Sequence, residues 1–193
     1  ALTSLALVAE IEGDSTESQT RLAEARDRAR EAGDLSVEGR AHYNLAASYY
    51  YAGDITTALA CMDAGVARAT ETGLTFSVYG LEIRVLQVIA RYVTGDWDGS
   101  LEAAELAGDA APDIVLARLA AAALYVEVGR GLPTAIERVA QLRGSWSKDA
   151  SLALVAGGCE VDLLRWRGDL DGAADAADRA IEYVTRRWDK WYL

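Results

Sequence analysis

The sequence predicts an all-α chain built as a stack of about five helix pairs, and three observations carry that expectation. Glycines recur at Gly13, Gly53, Gly95, Gly129 and Gly168, at steps of 40, 42, 34 and 39 residues. A period in this range marks helix pairs, each unable to bury its apolar face alone. Aspartate follows the glycine in four of the five turns, at Asp14, Asp54, Asp96 and Asp169. Glycine can end one helix in a left-handed conformation, and the carboxylate can cap the first amides of the next. The third observation is composition: 51% apolar residues, much of it alanine, with two prolines and one phenylalanine in 193 residues. Alanine has the best helix propensity and lets helices approach closely.

An apolar-periodic helix precedes each glycine: residues 2–12, 39–52, 78–94, 114–128 and 151–167. A second helix follows each, over 16–32, 55–72, 97–107, 133–143 and 170–190. The fourth turn reads Gly129-Arg130-Gly131-Leu132-Pro133, where proline can open the next helix. Ser18, Ala58, Ser100, Ala135 and Ala173 place a small residue five or six positions after each glycine. Breaks at Gly33-Asp34, Gly73, Gly108 with Pro112, and Gly144 delimit repeats of approximately 1–33, 34–73, 74–109, 110–147 and 148–193. No Pro/Gly/Ser-rich linker separates them, so a single helical-repeat domain over 1–193 is expected. Trp146, in the loop-like stretch 144–150, reads as a lid over the stack.

The net charge of −11 repels phosphate backbones and argues against nucleic-acid contact by this segment. No run approaches the ~20 apolar residues of a membrane span. Cys61 and Cys159 lie far apart on different helix pairs and read as apolar filler in a reducing, cytoplasmic setting. The chain starts without methionine or a basic signal region, and both ends read as cuts through a longer protein.

The sequence holds no phosphate-binding loop, no paired-cysteine spacing and no His-Glu-x-x-His, so no cofactor or metal is expected. The one histidine, His42, sits in a helix of packing residues and reads as a partly buried packing group rather than a catalytic base. Carboxylates read as helix caps and solvated faces, as in Glu24-Arg28-Glu31 and the stripe Asp171, Asp175 and Asp178 beside Arg179. No enzyme is expected from these residues.

The second unit resembles the tetratricopeptide repeat. Leu45 and Ala46 stand where that family has Leu-Gly, Tyr49 at its tyrosine, Gly53 at the turn and Ala58 at the close-packing position. The later small position is filled by Ala25, Gly65, Ala107 and Ala180, while His42 replaces the family's tryptophan. Repeats longer than about 34 residues, rich in alanine and arginine and with Gly-Asp-hydrophobic turns, are similar to those of large LuxR-type bacterial regulators. In that family an ATPase module precedes the repeats and a helix-turn-helix follows them. Its maltose-system member binds a sugar inducer in the repeat region.

The resemblance implies a right-handed α-α superhelix whose first helices line a concave groove. It implies groove positions Arg40, Tyr43, Tyr50 and Tyr51 from the second pair, and Glu82, Val85, Ile89 and Tyr92 from the third. Leu119 and Glu127 follow from the fourth pair, and Asp162, Arg165 and Trp166 from the fifth. Neighbours in the Tyr49-Tyr50-Tyr51 run point about 100° apart, so one must pack inside. Tyr49 matches the family's core position, leaving Tyr50 and Tyr51 for an aromatic wall. Large residues here also fill space between curved repeats, so the same set fits recognition or packing. A protein or peptide partner, or a small-molecule inducer, would sit in this groove, with DNA bound only by a separate domain. The alternative is a tetratricopeptide scaffold in another kind of signalling protein. Tyr183, Trp188, Trp191 and Tyr192 form a second apolar surface, open to self-packing, to self-association or, as we favour, to a further repeat.

Overall fold

The computed structural model describes residues 2–105, 111–146 and 148–187. Among the described residues the chain is all-α, with ten helices and no strand. The helices are α1 (Leu2–Ile11), α2 (Ser15–Ala32), α3 (Leu35–Tyr51), α4 (Ile55–Glu71) and α5 (Val78–Val93). They continue as α6 (Trp97–Ala104), α7 (Asp113–Gly129), α8 (Thr134–Arg143), α9 (Ala150–Trp166) and α10 (Leu170–Arg187). The chain divides into two compact units, Ala1–Gly95 and Asp96–Leu193, and the division falls inside the third predicted repeat. In the first unit α3 packs against α2, α4 and α5; in the second, α9 packs against α7, α8 and α10.

The turns work as the Gly-Asp pattern predicts. At the first, Gly13 N–H donates to Glu10 O at 3.1 Å and Asp14 N–H to Ala9 O at 2.8 Å, closing the carbonyls that α1 leaves open. Asp14 Oδ1 then accepts from Glu17 N–H at 2.9 Å, opening α2. Asp54, Asp96 and Asp169 accept in the same way from Thr57, Gly99 and Gly172. Asp34 does likewise for Val37, so α3 starts at Leu35, four residues before the expected Gly39. A good cap outweighs the modest helix cost of one glycine.

The fourth turn corrects the alignment. Gly131, at φ +66°, takes the left-handed position, while Gly129 is the last residue of α7. Gly131 N–H donates to Val128 O and Leu132 N–H to Glu127 O, both at 2.9 Å, which is the pattern of Gly13 and Asp14. Pro133 stands directly before α8.

All five predicted small positions are buried: Ser18, Ala58, Ser100, Ala135 and Ala173. The second unit's core joins Leu124 and Val128 of α7, Val139 and Leu142 of α8, and Leu152 and Ala156 of α9. Trp146 is 2% exposed, with its ring edge-on to Tyr183 at 5.9 Å, so the loop after α8 is pinned into the core. The first unit's core centres on Met62, Ile83 and Ala46, with Tyr43, Tyr49 and Tyr50 packed at its margin.

The two cysteines are free. Burial, then Asp162 and Glu127, pushes the Cys159 thiol up to about 12, so it stays protonated. No helix among the described residues is long and apolar enough to cross a membrane. Ala107, Trp188, Trp191 and Tyr192 lie outside the described residues.

Candidate functional site

The first unit brings together part of the predicted groove. Arg40, Asn44, Ala47, Ser48 and Tyr51 of α3 face Thr3, Leu7 and Glu10 of α1 across a groove of about 300 Å³. Its α3 side is a helical stripe at spacings of three and four, so one face of one helix supplies it. Ser48 Oγ donates to Glu10 Oε2 at 3.0 Å across the groove. Tyr51 is 76% exposed, and its ring meets Tyr50 edge-on at 5.5 Å.

The other predicted positions are scattered by their packing. Tyr50 is half-buried against the core, and burial raises its phenol above the usual range. Tyr43 packs on the same core with its ring 6.2 Å from Tyr79. Glu82, Val85, Ile89 and Tyr92 are half-buried along α5.

In the second unit Leu119 is a core residue. Glu127 is also buried, paired with Arg138 of α8 at 2.9 Å, so both are interior groups rather than wall residues. Asp162 and Arg165 pair at 3.3 Å on the exposed side of α9, and Trp166 is exposed beside them. Asp162 also borders an apolar cleft of about 440 Å³ between α9 and α10, lined by Leu154, Gly158, Val161, Ile181 and Val184.

A cleft of about 470 Å³ between α3, α4 and α5 joins residues that the sequence pattern did not single out as a site. Three helical stripes converge on it. Leu35, Glu38, Gly39 and His42 come from α3; Gly65, Arg68 and Ala69 from α4, with Thr72 at its C-cap; Tyr79, Gly80 and Ile83 from α5. The first two stripes have spacings of three, four and seven, the signature of one helix face. Gly65 lets α4 lie close on α3 and α5, because a Cβ there would collide with Ile83 Cδ1 and crowd His42.

The polar floor of this cleft is paired within itself. Glu38, 1% exposed, accepts from Arg68 Nε at 2.9 Å and from Arg68 Nη2 at 3.1 Å. Arg30 Nε stands 3.8 Å from the same carboxylate, and Arg68 also reaches Glu71 at 3.4 Å. His42 is 8% exposed and makes no hydrogen bond to the described residues. Burial lowers its pKa first, the Arg26 charge adds to this, and Glu38 opposes both, so the imidazole is neutral near pH 7.

The buried carboxylates form a regular device that composition hides. Glu38, Glu127 and Glu160 each sit inside a first helix and pair with arginines of neighbouring second helices. Their partners are Arg68, Arg138, and Arg143 with Arg179. Among the described residues no cluster of three or more His, Cys, Asp or Glu side chains is arranged to hold a metal ion.

No protein-family model matches the chain, and comparison with curated proteins gives no significant match. The functional reading therefore rests on these residues.

Proposed function

We propose that this chain is a non-catalytic recognition segment, the helical-repeat part of a LuxR-type bacterial transcription regulator, with its helix pairs wound in a right-handed tetratricopeptide-like superhelix. Support for repeat stacking comes from the close packing of consecutive first helices, α3 on α5 and α7 on α9. The observation that carries the recognition role is the α1–α3 groove. It holds an arginine, an asparagine, a carboxylate and an exposed tyrosine on the facing sides of α1 and α3. Arginine and tyrosine dominate binding hot spots, because each offers both area and directed hydrogen bonds. The groove's mixed polarity suits a protein segment laid along the helices.

Arg40→Ala and Tyr51→Ala in the full-length protein test this reading. Each is expected to weaken partner binding about tenfold or more, with the helical circular dichroism unchanged. Wild-type partner affinity in both variants contradicts the groove assignment. The regulator reading further expects the gene to encode a phosphate-binding loop before this segment and a helix-turn-helix after it. A gene with neither contradicts it and leaves a scaffold role.

A further inference from the structure

We propose that the cleft between α3, α4 and α5 binds a small uncharged organic molecule with a largely apolar body and one hydrogen-bonding group, received by His42. This inference concerns a different face from the α1–α3 groove and stands independently of the regulator reading.

The cleft has the size and lining of a small-molecule site. About 470 Å³ falls within the range of small-molecule sites, roughly 300–1,000 Å³. The walls are Leu35, Leu74, Val78, Tyr79 and Ile83, and Gly39 leaves room where a side chain would stand. The Gly39 position is open: a Cβ there meets only Tyr79 Cβ, at an ordinary 3.6 Å.

His42 borders the cleft, is more than nine-tenths buried and has no hydrogen-bond partner among the described residues. Its ring nitrogens are still reached by solvent, so a ligand in the cleft can replace water on one of them within largely apolar walls. A neutral imidazole offers one donor and one acceptor, enough for a hydroxyl, an amide or an amine N–H.

The charges around the cleft favour an uncharged ligand. Arg26 and Arg30 of α2, Glu38 of α3 and Arg68 of α4 all act on His42. Each is already committed: Arg26 to Asp27 at 2.8 Å, Arg30 and Arg68 to Glu38, and Arg68 to Glu71. A charged ligand would lose its hydration and find no uncommitted counter-charge on the floor. An uncharged one leaves the Glu38–Arg68 pair intact.

N-phenyl-1-naphthylamine, an uncharged two-part aromatic with a single N–H, is a direct probe. Its anionic counterpart, 1-anilinonaphthalene-8-sulfonate, carries the same rings plus a sulfonate. Each is titrated into the 193-residue chain while the amide resonances of Gly39, Gly65 and Gly80 are followed by NMR. The neutral probe is expected to shift these three glycines saturably, and the anionic one to bind at least tenfold more weakly. His42→Leu keeps the volume but removes the hydrogen bond, and is expected to weaken the neutral probe about tenfold. Gly39→Leu fills the cleft and is expected to abolish the glycine shifts. Circular dichroism confirms that each variant keeps its helices, and either variant alone decides the matter. The proposal is overturned if the neutral probe shifts only Gly157 and Gly158, on the α9–α10 side. Equal or tighter binding of the anion, or unchanged affinity in a folded variant, overturns it too.

Discussion

The helix trio α3–α5 and the trio α7–α9 are built with the same devices but differ in how they are filled. Both place a buried glutamate on a first helix and answer it with an arginine from the following helix, Glu38 with Arg68 and Glu127 with Arg138. Both put an alanine at the close-packing point, Ala58 or Ala135. In α7–α9 the space is taken by Leu119, Leu124, Leu142 and Leu152, and the loop after α8 drives Trp146 inward. In α3–α5 Gly39 leaves a side-chain position open beside His42, and Phe76 of the loop after α4 stays 44% exposed. Both trios have a packed core, and α3–α5 keeps a cleft beside its own. The side chain missing at Gly39 is what leaves that space unfilled.

The largest expected effect is at the two loop aromatics. Trp146→Ala is expected to cost about 3–5 kcal/mol, because it opens a large cavity in close-packed surroundings. Phe76→Ala is expected to stay within about 0.5 kcal/mol, as for a surface change. Urea unfolding of both variants checks the contrast, and equal losses would erase it.

Next comes the ion pair of the packed trio. Arg138→Ala leaves Glu127 buried without its partner, which in a fully buried pair costs about 3–5 kcal/mol. Because the Arg138 side chain is 41% exposed, solvent screens the pair, and about 1–3 kcal/mol is expected.

Smaller again is the turn that separates α7 from α8. Gly131→Ala forces a Cβ into the left-handed region and is expected to cost about 1–2 kcal/mol in thermal or urea unfolding. Gly129→Ala gains helix propensity but presses its Cβ to 3.2 Å from the Trp97 ring, so a smaller change is expected.

The smallest effect is pH dependence at His42, the one histidine. Its folded pKa lies below the ordinary value of about 6.5, so the unfolded chain takes up the proton first. The stability linked to this group is complete above about 6.5 and declines as pH falls toward the depressed folded value. His42→Leu lacks that decline. The stability difference between variant and wild type should therefore move in the variant's favour from pH 7.5 to pH 5.5. A constant difference would show that His42 titrates normally.

Much of the architecture was legible because its signals are local. A glycine and an aspartate side by side stop one helix and start another, and the backbone hydrogen bonds at Gly13-Asp14 show both acts in adjacent residues. Where the turn was written differently the reading slipped. Aligning on Gly129 instead of Gly131 shifts α7 by two residues, which turns the assigned face by about 200°. Since α7 is buried over most of its circumference, Leu119 and Glu127 ended inside. The α3–α5 cleft was harder to see. Its α3 stripe reads Leu35, Glu38, Gly39 and His42, which has helical spacing but no apolar uniformity. Its meaning depends on Gly65 and Arg68 of the next helix. His42 reads as a packing residue from sequence, and burial bears that out, yet its ring borders open space.

The claim that α3–α5 is open while α7–α9 is full can be tested with one matched pair of enlarging substitutions. Gly39→Leu places a side chain in the cleft and improves helix propensity, so a gain of about 1 kcal/mol or more is expected in urea unfolding. Ala121→Leu, at a 1% exposed site of the packed core, is expected to lose about 1–3 kcal/mol through overpacking. Opposite signs are the predicted result. A comparable loss in both variants would mean that the first unit has no cleft to fill, and would contradict the account.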